Sequence, residues 1–273
     1  MRPQPTDSSP LPGYFDGPTP RVIAHRGLTI AAPENTLRAF RAALDAGATH
    51  LETDVHATVD GVAVLLHDAD LLRVTGDPRK VAAVTLEDVQ RLSLLPTGDP
   101  LTGVQHAGGQ DRVCTLSEAL AAFPQARFNI DVKAADAVGP TVAAIRGAAA
   151  QNRVLVTSFS ERRRAATVRQ LPDIATSASA STALIAVLAA RIGANFLVTA
   201  ALRNVHSVQL PERLLGLRSS APSSIAALHR AGVEVHFWTV NRPADIARLL
   251  TAGADGLVTD RPDLAVIEAP EQL

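Results

Sequence analysis

The chain alternates short runs of β-branched and aliphatic residues with alanine- and leucine-rich stretches of helical length. This alternation is typical of repeated strand–helix units built around a parallel sheet. Eight of the runs qualify as strands of such a sheet: residues 21–24, 50–55, 127–132, 153–157, 174–177, 205–210, 233–239 and 256–259. A closed (β/α)8 TIM barrel needs eight strands and usually about 250 residues. We therefore predict an α/β fold consisting of a single TIM barrel.

A ninth apolar run, residues 62–66, follows the second strand through Thr58-Val-Asp-Gly61. An Asp-Gly pair between alternating apolar residues is a strong hairpin signal, so we predict an antiparallel arm outside the barrel. Residues 69–112 are rich in proline, glycine and charge, which predicts a small insertion with a short helix near residues 86–92. A longer helix is expected over residues 35–46, ending at Gly47.

The N-terminal segment, residues 1–20, is rich in proline, serine and threonine and lacks the apolar core of a signal sequence. We interpret it as a flexible leader before one barrel domain over residues 21–273. No run of about 18 apolar residues occurs, which argues against a membrane span. We therefore expect a cytoplasmic protein, with no prediction for its oligomeric state.

The formal net charge of −1 excludes the basic excess typical of nucleic-acid-binding proteins. An anionic substrate would therefore have to be held by a local site. The single cysteine, Cys114, excludes an internal disulfide and a cysteine-cluster metal site. We interpret it as a small, partly buried residue before a helix that starts near Thr115.

Ionisable and aromatic residues lie at the C-terminal ends of the predicted strands, where the active sites of such barrels form. The candidates are His25, Arg26, Glu52, Asp54, His67, Asp131, Lys133, Trp238, Asn241 and Asp260. Trp238 is the only tryptophan, and its position at a strand end makes it a candidate for substrate contact.

Glu52 and Asp54 point to the same side of one strand because side chains alternate along a strand. Asp131, on the next barrel strand, would bring a third carboxylate to the same spot. Such a cluster needs a cation, and its hard oxygen ligands suit Mg²⁺, Ca²⁺ or Mn²⁺ better than zinc. Lys133 and Arg26 would add a phosphate-binding pocket beside the metal.

Two histidines, His25 and His67, can divide the proton transfers that phosphodiester cleavage requires. We interpret the remaining histidines as structural, although His56 shares a strand face with Glu52 and Asp54. This structural class consists of His50, His56, His106, His206, His229 and His236.

Several motifs, taken in order, resemble the signature of the glycerophosphodiester phosphodiesterase family. The N-terminal motifs are Ala24-His-Arg-Gly27, Pro33-Glu-Asn-Thr36, Glu52-Thr-Asp-Val55, Asp60-Gly61 and His67-Asp68. The later ones are Phe128-Asn-Ile-Asp-Val-Lys133, Thr157-Ser-Phe159, Trp238-Thr-Val-Asn241, Gly253-Ala-Asp-Gly256 and Thr259-Asp-Arg-Pro262. The resemblance covers nearly the whole chain, from about Arg21 to Asp263.

The resemblance implies hydrolysis of small-molecule glycerophosphodiesters to an alcohol and glycerol 3-phosphate. It also implies roles for single residues: Glu52, Asp54 and Asp131 as metal ligands, His25 and His67 as the acid and base, Arg26 and Lys133 as phosphate-binding residues, and Glu34 as a carboxylate beside the site. The chain departs from the usual pattern at Asp131, where the family often has glutamate. It departs again after His67, where it reads Arg73-Val-Thr75-Gly76.

Three alternatives stay open. A lysophospholipase D-like enzyme would need an apolar channel for an acyl chain, which aliphatic residues could line. A barrel lyase would convert the phosphodiester into a cyclic phosphate instead of hydrolysing it to a phosphomonoester. A catalytically silent phosphate-binding module would have lost a histidine or carboxylate, and none is missing here.

Overall fold

The computed structural model describes residues 13–98, 105–106, 111–214 and 216–268, and every strand and helix below lies within them. The strands are β1 (Arg21–His25), β2 (His50–Ala57), β3 (Ala63–Leu65), β4 (Thr97–Gly98), β5 (Gln105–His106), β6 (Arg127–Val132), β7 (Val154–Thr157), β8 (Ala175–Thr176), β9 (Ser207–Pro211), β10 (Arg213–Leu214), β11 (Leu217–Arg218), β12 (Glu234–Trp238) and β13 (Gly256–Thr259). The helices are α1 (Leu37–Asp45), α2 (Leu72–Thr75), α3 (Leu86–Gln90), α4 (Leu116–Ala122), α5 (Val138–Gly147), α6 (Glu161–Val168), α7 (Ala180–Arg191), α8 (Asn195–Leu202), α9 (Pro222–Arg230), α10 (Pro243–Thr251) and α11 (Pro262–Glu268).

Eight strands form a parallel sheet in the order β8-β7-β6-β2-β1-β13-β12-β9. Its two edges meet at a parallel bridge between Ser177 and Ser207, and this bridge closes the sheet into a barrel. The predicted TIM barrel and all eight predicted strands are therefore confirmed. The ninth apolar run forms β3, which pairs antiparallel with β2 outside the barrel, as predicted.

The main apolar core lies between the barrel and its helices. Outward-facing strand residues such as Leu51, Phe128 and Ile130 are fully buried there. Burying each such side chain contributes roughly 1.5–3 kcal/mol. Helix α1 begins where the Thr36 side chain accepts a hydrogen bond from the Ala39 amide, and it ends before Gly47, whose φ is +94°. Of the helices in the described ranges, none has the length and apolar character that a bilayer span requires.

The predicted insertion builds a second, smaller core on the hairpin arm. Val64 and Leu66 from the arm pack with Leu71, Val81 and Val89, which all follow it in the chain. The expected helix is α3, which ends at Gln90 and begins with a capping box between Thr85 and Asp88. The described part of the insertion is therefore packed against the hairpin arm. Residues 99–104 and 107–110 are not among the described residues.

Residues ahead of the predicted start of the barrel domain at residue 21 also pack on the barrel. Gly13–Phe15 form a 3-10 turn, in which Tyr14 is fully buried and Phe15 is 7% exposed. Both rings close the N-terminal end of the barrel, where they pack on Leu155 and Ala175. Residues 13–15 are therefore held against the barrel, because its end offers an apolar surface for Tyr14 and Phe15 to cover.

Candidate active site

A cleft of about 310 Å³ opens at the C-terminal end of the barrel. Eight predicted site residues line it together: His25, Arg26, Glu52, Asp54, His67, Asp131, Lys133 and Trp238. The fold brings them together because parallel strands end at the same rim. Glu34 is not part of the cleft wall, but its carboxylate lies 3.2 Å from the Arg26 guanidinium.

Strands β2 and β6 bring Asp54 directly opposite Asp131. The Lys133 ammonium lies between them, 2.8 Å from Asp54 Oδ1 and 2.7 Å from Asp131 Oδ2. Lys133 therefore joins the predicted carboxylate cluster and pairs with two of its members. The lysine is drawn into the cluster because two neighbouring carboxylates attract the nearest flexible cation.

Arg26 joins three carboxylates at the end of β1. Its backbone amide donates to Glu52 Oε2 at 3.1 Å, and its Nε lies 2.9 Å from Asp54 Oδ2. The Arg26 backbone is left-handed, with φ at +57°, a conformation that costs about 1 kcal/mol or more for a residue with a side chain. Gly27 follows at φ +89°, where an added Cβ would lie 2.6 Å from the Ala39 carbonyl carbon. This turn therefore requires glycine and directs the guanidinium into the site.

The carboxylates differ in how their charge is compensated. Burial, reinforced by the neighbouring Asp54, raises the pKa of Glu52 to about 8. Burial also raises the pKa of Asp131. Burial would do the same to Asp54, but Lys133 and Arg26 outweigh it and lower the pKa of Asp54. The site thus carries one carboxylate for which the neighbouring cations outweigh burial and two for which burial outweighs the cations.

Both candidate catalytic histidines are paired with a carboxylate through Nδ1. His25 Nδ1 lies 2.7 Å from Asp260 Oδ1, and Asp260 Oδ2 accepts a hydrogen bond from Asn241 Nδ2 at 2.7 Å. Burial alone would lower the pKa of His25, but the hydrogen bond to Asp260 and the charge of Glu52 raise it. His67 Nδ1 lies 2.7 Å from Asp68 Oδ1. Each pairing fixes the ring and leaves its Nε2 as the nitrogen available for proton transfer.

Sequence reasoning assigned no role to Asp260, Asn241 or Asp68. Asp68 could have been suspected because it adjoins His67. The pairing of Asp260 with His25 could not, because 235 residues separate them and only barrel closure brings β13 beside β1.

The insertion contributes Arg73, which holds two site carboxylates at once. Its two terminal nitrogens bind Glu34 at 2.7 and 2.8 Å, while its Nε donates to Asp68. Glu34 in turn contacts Arg26, and Asp68 contacts His67. Arg73 therefore ties the insertion to both a phosphate-binding candidate and a catalytic candidate.

Another part of the cleft wall is apolar. Phe159 and Trp238 meet edge to face with ring centroids 5.8 Å apart, and Phe159 is 56% exposed. Ala178, Ala183, Leu210, Pro211 and Leu214 complete this wall. The cleft thus has a charged half, which suits a phosphate, and an apolar half, which suits a less polar group.

The described histidines outside the cleft are hydrogen-bonded as structural residues usually are. Their partners are the Tyr14 carbonyl for His50, the His67 carbonyl for His56, the Thr176 amide for His206, Asp255 for His229 and Glu234 for His236. The side chain of His106 lies outside the described part of the structure. Cys114 is buried, and burial raises the pKa of its thiol to about 12, so it is not a nucleophile.

A profile of the glycerophosphoryl diester phosphodiesterase family matches residues 25–264. The chain belongs to this family. It is 40% identical over 245 residues to a protein of Mycobacterium tuberculosis described as a probable glycerophosphodiester phosphodiesterase 2, covering 89% of this chain and 88% of that protein. It is 28% identical to the glycerophosphodiester phosphodiesterase of Caldanaerobacter subterraneus, covering 90% and 96%. As a family member it is a phosphoric diester hydrolase.

Solved structures agree on the barrel. A glycerophosphodiester phosphodiesterase of Agrobacterium tumefaciens superposes with a TM-score of 0.73 at 24% identity, over 91% of this chain and 98% of that one. An Oleispira antarctica phosphodiesterase in complex with sn-glycerol-3-phosphate superposes with a TM-score of 0.72 at 22% identity, over 92% and 96%. At these identities the likeness shows the fold.

The family generally uses a divalent metal ion, and the donor set of this chain fits one. Glu52 is buried with a pKa near 8, and Asp131 Oδ1 is buried without a hydrogen-bond donor. Both observations indicate that positive charge is lacking at these oxygens. Within the described ranges, however, no three acidic, histidine or cysteine side chains already surround a common point.

Proposed function

We propose that this hydrolase cleaves glycerophosphodiesters to glycerol 3-phosphate and an alcohol, with His25 and His67 as the proton-transferring pair. The observation that carries the proposal is the pairing of each histidine with a carboxylate, in one cleft that also contains Arg26 and Lys133. A silent binding module would have no need for two imidazoles held in this way.

The phosphate would bind in the charged half of the cleft. Arg26 offers a planar guanidinium with several donors, and Lys133 offers a compact charge that can meet a single phosphoryl oxygen. Lys133 is engaged by Asp54 and Asp131, so a bound phosphate would compete with these two carboxylates for its protons. Neutralising the phosphoryl oxygens lowers the barrier to attack by a water molecule.

The two histidines would handle the protons through Nε2. One removes a proton from the attacking water, and the other donates a proton to the departing alkoxide. Asp260 and Asp68 hold the rings of His25 and His67 through Nδ1, as an orienting carboxylate does in other histidine-dependent hydrolases. Such a division predicts a bell-shaped pH dependence of kcat/KM.

Glu52, Asp54 and Asp131 would hold the divalent ion, Mg²⁺, Ca²⁺ or Mn²⁺. When bound, the ion supplies Lewis-acid stabilisation of charge on the phosphoryl oxygens. The three carboxylates would contribute by fixing its position beside Arg26 and Lys133. Removing it with a chelator should abolish turnover, and adding it back should restore turnover.

The apolar half of the cleft favours a second candidate substrate, a lysophospholipid. Trp238, Phe159 and Leu214 could contact the start of an acyl chain. A substrate panel distinguishes the two: glycerophosphocholine, glycerophosphoethanolamine and glycerophosphoglycerol against lysophosphatidylcholine. Glycerol 3-phosphate from the first three supports the main proposal. Release of choline from the lysophospholipid alone would support the second, and no product from any of them would favour a silent module.

A further inference from the structure

The outer surface of α7 and α8 carries an unusual concentration of apolar side chains. The described residues expose ten large apolar side chains, and five of them lie here: Ile185, Leu188, Ile192, Phe196 and Leu197. Ile192 is 78% exposed and Phe196 is 74% exposed. We call these five residues the α7–α8 face. Clustering, rather than single exposed residues, is what marks an interaction surface.

This face is separate from the surface that packs α7 on the barrel. Ala186, Val187 and Ala189 are buried and make the barrel contact, while Ile185 and Leu188 alternate with them and point away. Ile185, Leu188 and Ile192 are spaced three and four residues apart, so they lie along one side of the helix. The helix is therefore apolar on two sides, and only one of them is needed for the fold.

The two helices that carry the face contain no acidic residue. No aspartate or glutamate occurs in residues 174–211, although the whole chain has a formal charge of −1. Arg191 ends α7, Arg203 follows α8, and both are exposed. Arg230 reaches the start of α8, where its Nη2 donates to Asn195 Oδ1 at 3.3 Å. Across the described part of the chain, none of these three arginines takes part in an ion pair.

We propose that the α7–α8 face docks the protein on the surface of an anionic phospholipid membrane. Apolar side chains flanked by arginines are the pattern of peripheral helices, whose apolar face enters the boundary between headgroups and acyl chains. The arginines then meet lipid phosphates, each contributing about 1 kcal/mol near the surface.

A second copy of the chain fits the same face poorly. A two-fold contact brings one patch against itself, so Arg191 and Arg230 would meet arginines and no carboxylate from the same segment. Like charges in such a contact are unfavourable, whereas lipid phosphates neutralise them. The charge pattern therefore favours lipid over self-association.

Vesicle flotation tests the proposal with the full chain. The vesicles consist of phosphatidylcholine alone or of phosphatidylcholine and phosphatidylglycerol in about equal parts. We expect binding to the anionic vesicles only, and weaker binding as salt is added, because salt screens surface charge. The double variant Ile192→Ser, Phe196→Ser should bind at least about tenfold more weakly, since it removes two inserting side chains.

Two further variants separate the outcomes. Arg191→Gln with Arg230→Gln should weaken binding roughly fivefold for each arginine. The controls Ile267→Ser and Arg169→Gln remove an exposed apolar and an exposed charged side chain from other helices and should leave binding unchanged. Hydrolysis of soluble glycerophosphocholine should be normal in every variant, which shows that each one folds.

The proposal is overturned if the wild-type chain ignores anionic vesicles or if the serine variant binds them as well as the wild type does. It is equally overturned if sedimentation velocity shows a dimer that the serine substitutions dissociate, because the face would then join two copies. None of these results bears on the catalytic assignment, which is measured on a soluble substrate.

Discussion

The two ends of the barrel use the same kinds of side chain, arginine, histidine and carboxylate, but arrange them differently. At the N-terminal end, Arg21 is 2% exposed and binds Glu234 through two nitrogens at 2.7 and 2.8 Å. Burial would raise the pKa of Glu234, but hydrogen bonds from Arg21 and His236 outweigh it and lower that pKa to about 2. At the C-terminal end, by contrast, the pKa of Glu52 is about 8.

This contrast between Glu234 and Glu52 distinguishes a structural cluster of charged residues from a functional one. At the N-terminal end, Arg21, Glu234 and His236 form a cluster, here called the lower cluster, in which Glu234 is paired with both other side chains. The Tyr14 and Phe15 rings cover this end, so the lower cluster leaves no room for a ligand. The charged residues of the cleft, here called the upper cluster, include the buried carboxylates Glu52 and Asp131 and the cations Arg26 and Lys133. These cations can also bind a ligand, and the cleft gives a ligand access to them. Residue type alone does not distinguish these ends, whereas pairing and access do.

The largest expected effect is a loss of kcat when a cleft histidine is replaced, with the fold unchanged. His25→Asn and His67→Asn should each lower kcat by about 10²- to 10⁴-fold, because each removes a proton-transferring group. Steady-state kinetics on glycerophosphocholine measure the loss, and thermal unfolding should change little. The matched control is His229→Asn, a histidine paired with Asp255 away from the cleft, which should keep its kcat. Near-normal turnover in either cleft variant would remove that histidine from the mechanism.

The converse change breaks the lower cluster. Glu234→Gln leaves the Arg21 guanidinium buried without a counter-charge, which should cost about 3–5 kcal/mol of unfolding free energy. Urea titration at neutral pH measures this loss, while kcat/KM at a temperature where the variant is folded should remain unchanged. A stable variant with impaired catalysis would mean that the two ends are functionally coupled and that the comparison is wrong.

A third change tests whether Lys133 binds the substrate phosphate or only pairs with Asp54 and Asp131. Lys133→Met should lower kcat/KM roughly 10- to 100-fold if the ammonium binds phosphate, because hydrogen bonds to charged groups contribute about 1.5–3 kcal/mol. Metal affinity should then be retained or raised. Unchanged kinetics combined with a lower melting temperature of the metal-free protein would instead assign the lysine to the carboxylates alone.

A fourth change concerns acid stability at the N-terminal end of the barrel. Burial lowers the pKa of His50 from 6.5 to about 3, so the folded protein holds this ring neutral while the unfolded chain protonates it below pH 6.5. Its contribution to stability is therefore complete above pH 6.5 and is lost as the pH falls towards 3. His50→Gln, which can still donate to the Tyr14 carbonyl, should make unfolding free energy less dependent on pH in this window. An identical pH dependence in both proteins would rule out this ring as the source.

Repeating strand patterns and strand-end chemistry could be read from the sequence. Each strand run carries its own periodic signal, so the barrel and eight of the residues that line the cleft were predictable. Pairings between distant segments could not be, because the contacts of Asp260 with His25 and of Arg73 with Glu34 depend on barrel closure and on how the insertion folds back. Tyr14 was missed for a related reason: it lies in a proline- and serine-rich segment and is ordered only by the barrel end it covers.

The position of Lys133 shows a further limit. Alternation along β6 correctly predicted that Asp131 and Lys133 share one face, but it could not predict how far a flexible ammonium reaches. A lysine side chain spans several ångströms, so it can sit between two carboxylates or withdraw towards a phosphate. Only the distances to Asp54 and Asp131 reveal which partners it has in this structure.

The central claim is that the C-terminal end of the barrel hydrolyses glycerophosphodiesters with the help of a divalent ion. Phosphorus NMR of glycerophosphocholine incubated with the protein tests it most directly, because it identifies the bond that is cleaved. The account predicts that glycerol 3-phosphate appears with Mg²⁺, Ca²⁺ or Mn²⁺ present and does not appear after chelation. Release of phosphocholine in its place, or the same rate in rigorously metal-free protein, would contradict the account.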